Sequence, residues 1–245
     1  MSTYHSNVVY ETATTASNTL AARTLFLPDC KRLRINAPLT AELRVDPNAR
    51  APYPLTLKGN DNVIEHVTAE IHEGTLIIGL AGSFRGALYL HLSGTLGAVS
   101  HVTARGAARV LIEGLRAPDL HLCTHGAAKL VAHGEAEQLQ VECSGTSRSR
   151  VECLRASVLT TRVSGTARLE LHGTAERLHV DASGAAKVTA AAPSFWGQQL
   201  TVQLKGASRV HVSARSTAQG HVQRGARLQL NCPGTCAVTG RVERV

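Results

Sequence analysis

The chain has 245 residues, a formal net charge of +8 and 43% hydrophobic residues, but only 3% of its residues are aromatic. A buried core must therefore consist mainly of Val, Leu, Ile and Ala. The positive charge indicates an affinity for polyanions such as nucleic acid, acidic glycans or a membrane surface. Aromatic residues do not alternate with the basic ones, and no zinc-finger, RNP or helix-turn-helix pattern occurs, which argues against nucleic acid as the partner.

The N-terminal residues 1–23 are rich in Ser, Thr, Ala and Asn and predict a flexible arm. No basic segment followed by an apolar one occurs here, so no signal peptide is predicted. No apolar stretch reaches about eighteen residues, so no transmembrane helix is predicted either. If the chain is full length, it is expected in the cytoplasm. A secreted chain whose leader peptide had been removed would show the same sequence features.

Residues 24–98 contain short strand-like stretches bounded by Pro, Asn and Gly. They predict irregular coils that cap the N-terminal end of a larger unit, because terminal repeats must cover the core differently from internal ones. That larger unit is predicted to extend over residues 24–245 as one domain.

Residues 99–245 repeat at intervals of 19 to 22 residues, each unit marked by one glycine. These corner glycines are Gly106, Gly126, Gly145, Gly165, Gly184, Gly206 and Gly225. On both sides of each glycine, apolar and polar residues alternate with the period of two that is typical of a strand with one buried face. Small residues follow each glycine, and a second small residue or glycine ends the next strand, so each unit predicts short strands joined by tight corners.

Such units cannot bury an apolar face alone, and stacking them produces one continuous core. The sequence therefore predicts an all-β fold, a single-chain parallel β-helix, expected to be right-handed, with about 20 residues per coil. A barrel or propeller would need hairpin turns, which are largely missing. The first six corner glycines, Gly106 to Gly206, should stack in one column, and the core should contain a second column of Leu120, Leu139, Leu159, Leu178 and Leu200.

The repeated motifs CSGTS, VSGTA, ASGAA and LKGAS, preceded by a GNDN segment and HVTAEIHEGTLII, resemble those of the bacterial head GIN domain, or autotransporter adhesin, family. The likeness covers roughly residues 24–240. It implies a parallel β-helix that is usually exported, and therefore a cell-surface or secreted protein if a leader was removed. It implies no catalytic residues.

The third residue after six consecutive corner glycines is a cation. These residues are Arg109, Lys129, Arg148, Arg168, Lys187 and Arg209. Like charges about 5 Å apart repel by less than about 1 kcal/mol per pair in water. The fold must therefore either tolerate this repulsion or use the charges to bind a partner. The column predicts either a basic strip that binds a linear polyanion or a solvated corner whose side chains pair with neighbouring carboxylates.

Seven residues after the corner glycines, Glu113, His133, Glu152 and His172 alternate. They predict alternating surface ion pairs, or less readily a divalent metal site, since a one-sided column offers only two ligands at a time. His101, His121 and His179 are expected on the outward face of the preceding strand as exposed polar residues.

The segment AAAPSFWGQQ at residues 190–199 lengthens one repeat to 22 residues. Insertions in solenoids usually emerge as loops on one face, often the binding face. This one contains Phe195 and the only tryptophan, Trp196, which are candidate contacts for a sugar or protein, or rings folded down over the adjoining coil.

Elsewhere, the spacing of Cys232 and Cys236 permits a local disulfide or half of a metal site, or two free thiols.

No paired carboxylate motif, nucleophile elbow, phosphate loop or His-Glu-x-x-His motif occurs, so we expect no catalytic residue, cofactor or metal. The prediction is a non-catalytic binding or adhesion module whose partner is an acidic glycan or another polyanion. The alternatives are a structural protein that polymerises with copies of itself into a filament through its terminal coils, and a polysaccharide-processing enzyme. A cap over both ends would favour a monomer, and bare edges would favour stacking.

Overall fold

The structure, a computed structural model, describes residues 14–244, without the side chains of residues 153 and 154. Residues 1–13 of the predicted flexible arm lie outside the described residues. Its remaining residues contain the strands β1 (Thr14–Thr15) and the beginning of β2 (Leu20–Leu27). Strand β2 pairs with a later strand over its whole length, so residues 20–23 belong to the folded unit.

The N-terminal region continues after β2 with short strands and one helical turn. They are β3 (Arg32–Ile35), β4 (Thr40–Val45), β5 (Tyr53–Asn60), α1 (Asp61–Ile64), β6 (Val67–His72), β7 (Thr75–Leu80), β8 (Phe84–Arg85) and β9 (Leu90–Leu96). Parallel and antiparallel pairs are mixed here: β2 with β5, β5 with β9 and β6 with β7 are antiparallel.

The repeat region forms longer strands, which are β10 (His101–Ala104), β11 (Arg109–Thr124), β12 (Lys129–Cys143), β13 (Arg148–Val163), β14 (Arg168–Ala182), β15 (Lys187–Ala190), β16 (Phe195–Leu204), β17 (Arg209–Val222), β18 (Arg227–Asn231), β19 (Thr235–Gly240) and β20 (Val242–Arg244). Each coil pairs in parallel with the next, roughly 20 residues further along the chain. The predicted parallel β-helix is confirmed.

The predicted leucine column is also confirmed. Leu120, Leu139, Leu159, Leu178 and Leu200 follow one another in register through five coils, and all are at most 3% exposed. Burying a leucine fully stabilises a fold by about 1.5–3 kcal/mol, so a column of five contributes a large share of the driving force.

The corner glycines stack as predicted, and two features make glycine necessary there. Their φ angles are positive, for example 75° at Gly145 and 74° at Gly165, a conformation that L side chains rarely adopt. A Cβ at Gly165 would also lie 2.8 Å from the carbonyl oxygen of Gly145 in the coil below. Coil stacking therefore brings the corner backbones too close together for any side chain.

The order of the coils in space differs from their order in the chain at the N-terminal end. The coil formed by β3 and β4 lies between one formed by β7 and β9 and one formed by β10 and the beginning of β11. Residues 46–98 therefore leave the helix after β4, build the next coil outward, and return at β10. The antiparallel strand β2 and the helical turn α1 pack against this end.

Candidate binding surfaces

The six cations predicted after the corner glycines lie in register in one column, each the parallel partner of the next. The column continues to a seventh cation, Arg227, in the following coil. Each begins a strand and precedes a buried residue, so its side chain points outward, and all seven are exposed. We call the seven residues the cationic strip. At the strand spacing of about 4.8 Å the strip is about 29 Å long.

Carboxylates are scarce around the strip. Within the part of the chain that the structure describes, none lies at ion-pair distance from a strip residue. The next outward-facing column, two residues further along each strand, contains Glu170 in its middle and Glu42 and Glu243 at its two ends. The strip is therefore a row of cations that make no ion pair with a carboxylate of the described residues.

The predicted Glu and His ladder is in register for three of its four members, His133, Glu152 and His172. The Nδ1 atom of His133 lies 2.9 Å from a carboxylate oxygen of Glu152, whose other oxygen lies 3.0 Å from a guanidinium nitrogen of Arg150. The pairing of β11 with β12 shifts after Ile112, so Glu113 is not in register with His133. On its other side Glu113 pairs in register with Arg44 of the preceding coil.

The contacts of Glu152 are those of surface ion pairs. Among the described residues, no group of three His, Cys, Asp or Glu side chains is arranged to hold a metal ion.

Two of the histidines expected on the outward face form a stack. The imidazole rings of His101 and His121 are parallel, with centroids 4.5 Å apart. The Nδ1 atom of His101 lies 2.9 Å from the hydroxyl of Ser100. Partial burial, the neighbouring His121 and then Arg32 lower the pKa of His101 below its usual value. His179 belongs to the same column but lies beyond Gln140 and Thr160.

The insertion at residues 190–199 does not place both aromatic rings on the surface. Phe195 is 1% exposed and begins strand β16, in register with Gly173 of the preceding coil, so it is a core residue and not a contact on an exposed loop. Trp196 alternates outward and remains partly exposed. The guanidinium carbon of Arg215 lies 5.0 Å from the centroid of the Trp196 ring, a cation–π contact.

Trp196 lines a groove of about 650 Å³ that the sequence analysis did not anticipate. The groove follows a third side of the coils, formed by the parts of the strands that lie between the strip residues and the leucine column. Its charged lining residues are three arginines and three glutamates: Arg116, Arg155, Arg215, Glu135, Glu137 and Glu176. Successive coils shift their pairing register along this side, so the lining positions do not repeat at a constant distance from the corner glycine.

Cys232 and Cys236 are free thiols in the structure and are partly exposed. Cys143 is buried, and burial raises the pKa of its thiol to about 11, so this cysteine acts as a small apolar core residue. No helix among residues 14–244 is both long and apolar enough to cross a membrane.

Comparisons with known proteins agree with this architecture. The family described as "Putative auto-transporter adhesin, head GIN domain" matches residues 31–232. No curated protein matches the chain.

Among solved structures, a "putative lipid binding protein" of Parabacteroides distasonis has a TM-score of 0.82 at 11% identity, over 96% of this chain and 100% of that one. A "putative adhesin" of Parabacteroides merdae has a TM-score of 0.80 at 14% identity, over 95% and 99% of the two chains. At these identities the likeness establishes the fold alone.

Proposed function

Because the chain belongs to the head GIN domain family, we propose that it is a non-catalytic binding module whose cationic strip holds a linear polyanion. The partner class that suits a module of adhesin type is an acidic glycan. The observation that carries the proposal is the register of the strip, which places seven exposed cations in one column.

A regular row of cations matches a regular polymer of anions. Each contact is weak alone, because an exposed charge pair contributes about 0–1 kcal/mol. A linear polyanion lying along the strip engages several cations together and releases condensed counterions from each site. The strip is rigid in its backbone, since every strip residue starts a strand that is paired with the adjoining coils, so little backbone order has to be gained on binding.

The test is binding of heparin and of polyphosphate, measured at about 50 and 200 mM salt. The test variant carries Arg148→Gln, Arg168→Gln and Lys187→Gln in the middle of the strip. The matched control carries Arg23→Gln, Lys58→Gln and Arg85→Gln, which are exposed cations of the N-terminal region. Both variants lose three positive charges, so net charge alone cannot distinguish them.

We expect the strip variant to bind at least about tenfold more weakly at low salt and to lose about two units from the slope of log affinity against log salt. The control should bind nearly as well as the unmodified protein. Equal binding by the two variants would overturn the proposal and leave the strip as a solvated corner. Thermal unfolding of each variant verifies that the fold is retained.

The two ends of the helix bear on the alternative of a self-assembling filament. At the C-terminal end of the described chain, β19 and β20 each pair with one neighbour, β17 and β18 respectively, and so have a bare edge. The outermost strands at the N-terminal end, β2 and β6, also pair with one neighbour each, β5 and β7, but both of these pairs are antiparallel, and α1 packs against β2 and β5. Head-to-tail stacking of coils requires the parallel pairing to continue from one copy to the next, so the antiparallel N-terminal end supports a binding module over a filament.

A further inference from the structure

The groove beside Trp196 differs from the cationic strip in place, shape and charge. It contains no strip residue and is concave, and it extends over six coils, from Arg116 to Arg215. At the coil spacing this is a length of about 24 Å. Its volume of about 650 Å³ lies within the range of natural ligand sites. A trough of this length suits a chain of several units better than a compact small molecule.

The floor of the groove is made of small residues. Ala136, Ala156 and Ala175 occupy the inward positions of successive coils on this side, followed by Gly197. Larger core residues such as the leucine column lie on the neighbouring side. The pairing register shifts at nearly every coil here, which marks irregular strand geometry of the kind that often accompanies binding sites.

Trp196 is held firmly at one end of this floor. Its neighbour Phe195 is anchored in the core, and its own backbone pairs in register with that of Thr174. The guanidinium group of Arg215 lies over the indole at 5.0 Å. An aromatic ring fixed in this way presents apolar area with little loss of side-chain freedom on binding. The indole N–H adds a hydrogen-bond donor.

The charges of the groove balance, three arginines against three glutamates, whereas the strip is all cationic. A balanced lining gives no net attraction for a polyanion. It does offer guanidinium donors and carboxylate acceptors at intervals along the trough, and these are the partners that hydroxyl groups require. An aromatic platform flanked by such groups fits a sugar ring, which has an apolar face and a rim of hydroxyls.

We propose that this groove is a second binding site, which takes a neutral, hydroxyl-rich glycan chain with one sugar ring packed against Trp196. The site is independent of the cationic strip. The protein can therefore hold an acidic polymer on one side and a neutral glycan on another.

The tryptophan itself reports on the site, because the chain has only one. The experiment is a fluorescence titration with neutral hexasaccharides of the gluco, manno, galacto and xylo series, each at two salt concentrations. Isothermal calorimetry then measures affinity for any hexasaccharide that changes the emission, using the unmodified protein, Trp196→Ala, Arg215→Gln and the strip triple variant.

We expect at least one series to shift the emission saturably and with little dependence on salt. Trp196→Ala should weaken that binding about tenfold or more, as loss of a central aromatic contact does. The strip variant should bind the neutral glycan normally, and Trp196→Ala should still bind polyphosphate. The recovered glycan should keep its length.

Three results would overturn the inference. No series changes the emission up to millimolar concentration, or Trp196→Ala binds the glycan as well as the unmodified protein, or heparin displaces the glycan from the groove in a salt-dependent manner. Shortened glycan products would instead assign catalysis to the groove carboxylates and overturn the non-catalytic function as well.

Discussion

The N-terminal region and the repeat region cover the apolar faces of their strands in different ways. In the repeats each strand pairs with residues about 20 positions away, and side chains of one type stack on their own kind. In residues 14–98 the sheet partners lie at varied distances along the chain and run in both directions: Leu25 pairs with Leu55, Leu33 with Val102, and His72 with Thr75. The exposed large hydrophobic residues of the described chain, Leu20, Phe26, Ile71 and Tyr89, all lie in this region.

The difference shows what a constant coil length achieves. When every coil has the same number of residues between corners, each side chain lies above the equivalent side chain of the coil below. Whole columns of side chains are therefore buried together. An end of the helix has no next coil, so its strands must turn back and close the core at the expense of regular burial. Substitutions at matched residue types in the two regions should therefore have very different effects.

The largest contrast is expected between two phenylalanines. Phe195→Ala removes a ring that is 1% exposed and should lower the free energy of unfolding by about 3–5 kcal/mol. Phe26→Ala removes a ring that is 68% exposed and should change it by no more than about 0.5 kcal/mol. Urea denaturation of both variants measures the difference. Similar losses would mean that the two regions are packed equally well.

A smaller contrast is expected between two glycines with nearly equal backbone angles. Gly74 and Gly165 have φ of 71° and 74°, but a Cβ at Gly74 would meet nothing within 4 Å. Gly74→Ala should cost about 1–2 kcal/mol, the price of the left-handed conformation. Gly165→Ala should cost a further 1–3 kcal/mol or so, because the stacked carbonyl of Gly145 must move. Equal costs in urea denaturation would show that corner stacking adds nothing.

The smallest effect is expected at the junction of the two regions, where His101 of β10 lies between Arg32 of β3 and His121 of β11. The pKa of His101 is lowered in the folded protein, so below about pH 6.5 the unfolded chain binds more protons. Stability is therefore full above that pH and falls as the pH is lowered through it.

Melting temperatures at pH 7.5 and pH 5.5 test this expectation. His101→Gln should reduce the loss on acidification, whereas His72→Gln, at an exposed position of β6 outside the stack, is the control. An unchanged pH dependence in His101→Gln would contradict the assignment.

The sequence was sufficient to predict the repeat, because both of its markers have a strictly local cause. A corner with positive φ selects glycine at each turn, and a strand with one buried face selects alternating Leu and Val. Their intervals in the chain are therefore the register in space. The same intervals predicted six of the seven strip positions. Arg227 was not predicted as a strip residue because its coil has one residue fewer between Gly225 and the strand that follows.

The remaining features depend on tertiary packing. The insertion was expected to be a surface loop, yet it directs Phe195 into the core beside Gly173, a choice that no local pattern marks. The groove was missed because coil length varies on that side, so its residues keep no constant distance from the corner glycines. The interleaved order of the first coils was missed for a similar reason, since the pairing of β3 is decided by strands 40 to 70 residues away.

The interleaved order of the first coils also affects the order in which parts of the helix fold. The coil of residues 32–45 acquires neighbours on both sides only after residues 75–96 and 101–113 are present. A repeat coil needs a partner only about 20 residues away, and closing a shorter loop loses less chain entropy. We therefore expect folding to nucleate in the repeats and to reach the N-terminal end last, opposite to the direction of synthesis.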